Sequence, residues 1–283
     1  MTDLTIKNGS LNLAASVYGA EGAPDIVFLH GISGARDTWE EAVARLEGRF
    51  RCWTLDFRGH GDSDHADSYL IADYASDAAA LLAVIARPAI VAGHSLGAVT
   101  AACLAQDPHP FVKAVFLEDP PYYMNEPKEW AKGPYSVAFR AAWDKQIEME
   151  RAGATLDDYL DFVASVPAVQ GGIMKDHVGP RHLLSFASAL QRHDPSSWAP
   201  ALSLAVFAAF DTARPLRVPA MLIQADRDLA PAVMEGHDNR FLATNPSAKV
   251  IYYEGATHRI HATRATQQRF LDDLDAFATA QAG

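Results

Sequence analysis

Val91-Ala92-Gly93-His94-Ser95-Leu96-Gly97-Ala98 sets a serine between two glycines where an apolar run meets a helix-forming run. The chemistry of G-x-S-x-G needs a sharp strand-to-helix turn that pushes the serine oxygen clear of the backbone, with Gly93 and Gly97 leaving room for close packing on either side. A weak nucleophile is then exposed at a helix N-terminus, where the Leu96 amide can face a developing oxyanion. The five residues alone also describe a glycine-rich loop whose serine caps a helix. The flanking chain has to decide.

Upstream, residues 4 to 18 alternate apolar and polar positions around Asn8-Gly9, which predicts a β-hairpin at an antiparallel edge. Asp25-Ile26-Val27-Phe28-Leu29 then runs into His30-Gly31, a continuous apolar stretch suited to a strand buried on both faces. A helix over Trp39 to Leu46, a strand over Phe50 to Asp56 and a helix over Ile71 to Ala86 follow, and Pro88 closes the last of these. Ala89 to Gly93 is the strand that delivers Ser95, Leu96 to Ala105 is the helix that leaves it, and Lys113 to Leu117 is a further buried strand ending in Glu118-Asp119-Pro120-Pro121. Four such strands with crossover helices predict a doubly wound, mostly parallel α/β sheet.

From Pro120 the alternation stops. Helical patterns, breakers such as Gly171-Gly172 and many aromatics take over until strand-like Val218 to Ala225, after which a helix over Val233 to Leu242, a strand over Lys249 to Tyr253 and an amphipathic helix over Thr263 to Ala280 resume it. This predicts a core of residues 1–119 and 218–283 interrupted by a helical lid over residues 120–217, lying above the carboxyl ends of the strands.

The 283 residues carry 35 acidic and 24 basic side chains, a net charge of -11 without charge blocks, so no basic stripe offers itself to nucleic acid or to an anionic membrane. Cys52 and Cys103, the two cysteines, are not spaced for metal or for a disulfide framework and suit a reducing compartment. The start, Met1-Thr2-Asp3-Leu4-Thr5, lacks a basic segment followed by an apolar one, so a cytoplasmic protein is expected. Despite eleven histidines, no H-E-x-x-H or His/Cys cluster occurs, and neither a metal nor another cofactor is predicted. The expected partner is a small-molecule substrate, with a homodimer left open.

With these motifs placed, the chain resembles the α/β-hydrolase fold family over nearly its whole length outside the lid. His30-Gly31 closes an early strand, Gly93-His94-Ser95-Leu96-Gly97 forms the elbow, an acid follows a late strand and His258 follows the last one. The resemblance implies an eight-stranded sheet and a nucleophile, acid and base in the order Ser, Asp, His. Ser95 needs a base to accept its proton, His258 supplies it, and a carboxylate must hold the imidazole tautomer. Asp228 is the expected acid, because Ala225-Asp226-Arg227-Asp228 keeps the family's G-x-x-D spacing with Ala in place of Gly. Asp226 is an alternative read as a turn residue paired with Arg227, and Asp119 is another, read as a turn residue before Pro120-Pro121. The oxyanion hole is expected from the backbone amides of Ile32 and Leu96. His60 lies in a segment resembling the family's D-x-R-G-x-G-x-S loop, and His261 is expected on the first turn of the last helix, buttressing His258.

His30 and His94 are expected to line the site through hydrogen bonds, and Tyr122, Tyr123 and Trp143 to contact an apolar or aromatic part of the substrate. Arg140, Lys145, Arg181 and His182 are candidates for a substrate carboxylate, with solvated surface charge as their ordinary reading. Ser95 disfavours haloalkane dehalogenase and epoxide hydrolase chemistry, for which relatives carry Asp at the elbow. His94 ranks carbon-carbon bond hydrolases second, since these often have Asn before the serine. An ester or lactone hydrolase working through an acyl-enzyme is therefore the leading expectation, with a small-molecule receptor or a cofactor-free oxygenase on the same fold as rivals.

Overall fold

The computed structural model describes residues 1–283. Eight strands form one sheet: β1 (Thr2–Asn8), β2 (Leu11–Tyr18), β3 (Asp25–Leu29), β4 (Arg51–Leu55), β5 (Ala89–His94), β6 (Val112–Glu118), β7 (Ala220–Gln224) and β8 (Lys249–Tyr252). Their spatial order is β1-β2-β4-β3-β5-β6-β7-β8. The hairpin β1-β2 and the β2-β4 pair are antiparallel, and every other pair is parallel. Asn8 and Leu11 close the hairpin around Gly9, whose φ of 59° is the left-handed value that Asn-Gly turns supply.

Alternation along the central strands divides the core. Val27, Leu29, Val91, Val115, Leu117 and Leu222 face one layer, built on α2 (Ile71–Ile85) and α3 (Leu96–Ala105). Ile26, Phe28, Ile90, Phe116 and Ile223 face the other, built on α1 (Glu40–Leu46) and the C-terminal helix. Both faces are covered, which is why these strands read as continuous apolar runs. The chain crosses from β3 to β4 on one side and to β5 on the other, so a crevice opens at the carboxyl ends of β3 and β5.

Between β6 and β7 lie α4 (Pro127–Trp130), α5 (Tyr135–Arg151), α6 (Leu156–Ser165), α7 (Met174–His177), α8 (Pro180–Gln191) and α9 (Trp198–Leu202). Met149, Tyr159, Val163, Leu183 and Ala187 give this insertion a small core of its own. It is tied back to the sheet domain by a Val178–Thr263 bridge, by Arg192 on Asp37 and Asp62, and by a 2.5 Å hydrogen bond from Tyr69 to Asp194.

Two helix boundaries differ from the periodicity. The helix expected from Val233 begins only at His237, as α10 (His237–Thr244), because the Ala232 and Val233 amides donate to the Asp119 carboxylate and Gly236 turns the chain at φ 81°. The last helix, α11 (Gln267–Ala282), starts four residues later than expected, after a 3-10 turn over Ile260–Ala262 that Thr266 Oγ1 pins by donating to the Ile260 carbonyl. His261 therefore sits in this turn and not on the helix. No helix is long and apolar enough to cross a membrane.

Candidate active site

β5 runs directly into α3 through Ser95, which adopts φ 51° and ψ -113°. Only glycine fits on either side: a Cβ at Gly93 would stand 2.3 Å from the Gly97 carbonyl oxygen, and one at Gly97 would stand 2.2 Å from the Leu29 carbonyl oxygen. Such a conformation costs on the order of 1–3 kcal/mol and persists because its surroundings dictate it. Here the Ser95 amide donates to the Glu118 carbonyl at 2.9 Å, and the Ser95 carbonyl accepts from Ala98 and Val99, starting the helix. Leu96 is the first helical residue, so its amide has no acceptor within the helix. Ile32 lies outside every helix and strand, and neither its amide nor that of Leu96 donates to another group of the chain. Both residues border the same cavity as Ser95.

His258 follows β8 and borders that cavity too. Its Nδ1 donates to Asp119 Oδ2 at 2.6 Å, which fixes the neutral tautomer and leaves Nε2 free on the opposite side of the ring. Asp119, directly after β6, is fully buried and adopts φ 40°. Its Oδ1 accepts from the amides of Ala225 at 3.3 Å and Val233 at 3.1 Å, and its Oδ2 from Ala232 at 2.7 Å as well as from His258. The structure does not bring Asp228, the acid expected from the sequence, to His258: it is exposed and makes no hydrogen bond or ion pair with that ring, which Asp119 holds instead. Asp226 is the turn residue. Its Oδ1 accepts from the Asp228 amide and its Oδ2 from the Gly255 amide, bonds that hold its pKa below the usual aspartate value, and Arg227 pairs with Asp238 instead. The readable signal for Asp119 was Glu118-Asp119 at the end of a strand buried on both faces, because two carboxylates there require partners.

Glu118 has such a partner. Its Oε2 accepts from His261 Nδ1 at 2.7 Å and its Oε1 from the His261 amide at 2.9 Å, with both side chains buried. His261 is stacked on Trp39, with ring centroids 4.7 Å apart. His94 bridges the two pairs: its ring lies 4.7 Å from that of His258 and 5.1 Å from that of His261, and its Nε2 donates to the His258 carbonyl at 3.0 Å. Burial, then the neighbouring histidines, holds the His94 pKa well below the ordinary histidine value.

The cavity measures about 880 Å³, room for a whole small-molecule substrate, and 25 of its 43 bordering residues are hydrophobic. Phe139, Phe162, Phe186 and Trp198 of the insertion border it together with Ser95 and His258. Among the expected contact residues, His94 borders it. His30 does not: it is buried against the Gly31 carbonyl and the Phe57 amide, and burial lowers its pKa to about 4. Tyr122 and Tyr123 are spent on the core, packed on Phe210, Phe241 and His237, and Trp143 carries the guanidinium of Arg140 5.0 Å over its ring. None of these three reaches the cavity. Arg140 and Arg181 are exposed and His182 is buried elsewhere, so Lys145 alone of the four candidate carboxylate ligands borders it. His60, in the segment resembling the family's D-x-R-G-x-G-x-S loop, packs between His30 and His193. Sequence reasoning missed Arg259, which stands next to His258 on the cavity wall.

The sequence pattern of the alpha/beta hydrolase family matches residues 26–270. Over 108 residues the chain is 41% identical to 2-(acetamidomethylene)succinate hydrolase of Mesorhizobium japonicum, covering 36% of this chain and 38% of that protein. Over 90 residues it is 33% identical to 3-oxoadipate enol-lactonase 1 of Acinetobacter baylyi, covering 31% of this chain and 34% of that one. The aligned part thus spans little more than a third of these relatives. Among solved structures, E-2-(acetamidomethylene)succinate hydrolase superposes with a TM-score of 0.73 at 22% identity over 98% of both chains. The enol-lactonase from Burkholderia xenovorans LB400 superposes at 0.64 with 20% identity, over 98% of this chain and 100% of that one. At these identities the superpositions speak for the fold.

Proposed function

Since this chain belongs to the alpha/beta hydrolase family, we propose that it is a serine hydrolase, cleaving a carboxylic ester or lactone with an apolar or aromatic portion through an acyl-enzyme. One observation carries the reading: Ser95 on its strained elbow, the two unengaged amides of Ile32 and Leu96, and His258 held on Asp119 border one apolar cavity. That a lactonase and a second hydrolase stand among the relatives supports hydrolysis.

In this reading Ser95 Oγ attacks the ester carbonyl carbon while His258 Nε2 takes its proton. The imidazolium formed is stabilised by the Asp119 carboxylate on Nδ1, and general base catalysis of this kind is worth about 10²–10⁴-fold. The carbonyl oxygen, now an oxyanion, accepts from Ile32 N–H and Leu96 N–H, and each such donor contributes about 3 kcal/mol to the transition state. Collapse breaks the bond to the alkoxide, which leaves with the proton from His258. Water, deprotonated by the same Nε2, then attacks the acyl-serine, and Ser95 recovers its proton as the acid departs. Residues 120–217 serve as the cap that shields these steps from bulk water.

The test is hydrolysis of p-nitrophenyl butyrate and a panel of short lactones, together with labelling by a fluorophosphonate. The wild type should turn over members of the panel and take one phosphonate on Ser95, and Ser95→Ala should lose at least ~10³-fold in kcat with no label. A wild type inactive across the panel, or an equally active Ser95→Ala, would refute the proposal.

A further inference from the structure

Arg259 follows His258 in the loop after β8, and its main chain is fixed by its own carbonyl, which accepts from Ala262 N at 3.3 Å and from Thr263 Oγ1 at 2.8 Å. Its guanidinium has five N–H donors and uses none of them within the chain: no carboxylate stands within ion-pairing distance and no side-chain hydrogen bond is made. Arg36 and Arg58, by contrast, are each held by two aspartates. The contact Arg259 does make is with the face of Phe186 on α8, 4.9 Å from the ring centroid. Burial pushes its pKa below the ordinary arginine value, and no neighbouring carboxylate opposes the shift. Arg259 is half-buried at the cavity wall, and its charge has no counter-charge within the chain.

The wall around it is built the same way. In a chain with 35 acidic and 24 basic residues, no Asp or Glu occurs among the 43 residues bordering the cavity. The other full cation there, Lys145, is already bonded to Glu148 at 2.7 Å. The cavity is thus apolar over most of its surface, free of negative charge, and equipped with one unengaged planar fork beside His258. Such a fork matches a carboxylate bidentately.

We infer that Arg259 receives a free carboxylate of the substrate, so that the ester or lactone cleaved at Ser95 is a half-ester or lactone acid. This rests on the serine-hydrolase reading for the bond that is cleaved, and on Arg259 alone for the anion. The carboxylate docks on the guanidinium, the apolar body lies against the insertion, and the reacting carbonyl is thereby aimed at Ser95.

The first assay compares mono-p-nitrophenyl glutarate with p-nitrophenyl 5-methylhexanoate, in which an isopropyl group replaces the carboxylate. Arg259→Gln should lower the ratio of kcat/KM for the anionic over the neutral ester at least tenfold, through KM, and Arg259→Lys should restore part of that ratio. The second assay needs no turnover: calorimetric titration of 5-phenylvalerate and its amide into the Ser95→Ala protein with and without Arg259→Gln. The carboxylate should bind at least tenfold more tightly than the amide, and this margin should vanish in the double variant. If no ester is cleaved while the binding margin holds, the hydrolase reading falls and the anion site stands. If the ratio is unchanged in Arg259→Gln, if Gln and Lys impair both esters equally, or if acid and amide bind alike, Arg259 only ties α8 to the core and the inference is overturned.

Discussion

Replacing Asp119 by Asn separates it from Asp228 as the candidate acid by a wide margin. Each Asp119 oxygen has two donors, Ala225 and Val233 on Oδ1, Ala232 and His258 on Oδ2. Asparagine offers one acceptor oxygen and one NH₂ donor. If its oxygen takes the Oδ1 place, the NH₂ faces the Ala232 amide and His258 Nδ1. The Ala232 amide is then orphaned at a cost of about 1–3 kcal/mol, and His258 is driven to the tautomer protonated on Nε2. With its oxygen at the other place, the NH₂ confronts the Ala225 and Val233 amides instead, at a comparable cost. A His258 that already carries a proton on Nε2 cannot accept one from Ser95, and tautomer errors of this kind lower kcat by about 10⁴-fold, or ~5.5 kcal/mol of barrier. Steady-state hydrolysis of p-nitrophenyl butyrate, with urea denaturation alongside, should therefore show Asp119→Asn down by at least ~10³ in kcat and destabilised, whereas Asp228→Asn stays within about twofold of wild type. An Asp119→Asn enzyme of near-normal kcat, or an Asp228→Asn enzyme that is crippled, would refute the assignment.

Two further outcomes follow from burial and close contact. Burial lowers the pKa of His30 to about 4, of His60 to about 3 and of His182 to about 4, so below pH ~6.5 the unfolded chain binds protons that the folded one refuses. Stability should fall as pH drops from 6.5, each histidine contributing about 2 kcal/mol of loss at pH 5, and the loss should level off near their folded values. Asp37, pushed up to about 6 by burial, works in the opposite sense and offsets about 1 kcal/mol at pH 5. Guanidinium denaturation at pH 7.5 and pH 5.0 should show a net loss of at least about 2 kcal/mol, and equal stability at both would contradict the buried-histidine account. Gly97→Ala places a Cβ 2.2 Å from the Leu29 carbonyl oxygen, a backbone atom that cannot swing away, and should destabilise by about 3 kcal/mol or more. Gly48→Ala, with nothing within 4 Å, should change the same denaturation midpoint by less than about 0.5 kcal/mol equivalent, so similar effects at both positions would remove the steric argument.

The sheet was legible because its strands are buried on both faces: Asp25–Leu29, Ala89–His94 and Val112–Glu118 leave little but apolar side chains to read. The elbow was legible because Gly93 and Gly97 are dictated by backbone atoms of the same chain, a local demand. Contacts across the insertion were not legible. Tyr122, Tyr123 and Trp143 have the composition of a substrate wall, but which face of an aromatic meets the cavity depends on how α5 and α10 pack, and no local rule fixes that. Arg259 escaped notice for a related reason. An arginine is read as solvated until the structure shows its surroundings, and the absence of carboxylates around it is a property of 43 residues drawn from much of the chain.

That Asp119 and not Asp228 meets His258 has a more specific cause. After β7, Asp226 and Asp228 present the spacing a site would have, yet that loop is a turn locked by bonds from Asp228 and Gly255 amides to Asp226. What the same segment supplies to the site is backbone: the amides of Ala225, Ala232 and Val233 converge on Asp119 from the loop after β7. The strand end at Glu118-Asp119 thus serves two histidines three residues apart, Asp119 holding His258 and Glu118 holding His261, while the Glu118 carbonyl receives the Ser95 amide. Glu118 ends β6 and Asp119 leaves it at φ 40°, so the two adjacent acids face different partners, and the 3-10 turn at Ile260–Ala262 folds the loop after β8 across the strand end to bring His258 to one and His261 to the other. The second pair therefore orients the loop that carries the first, and the nucleophile's elbow is anchored to the same residue. His258, Asp119 and Ser95 are positioned by one two-residue junction, so a change at Glu118 should disturb all three geometries while leaving the three side chains themselves unchanged.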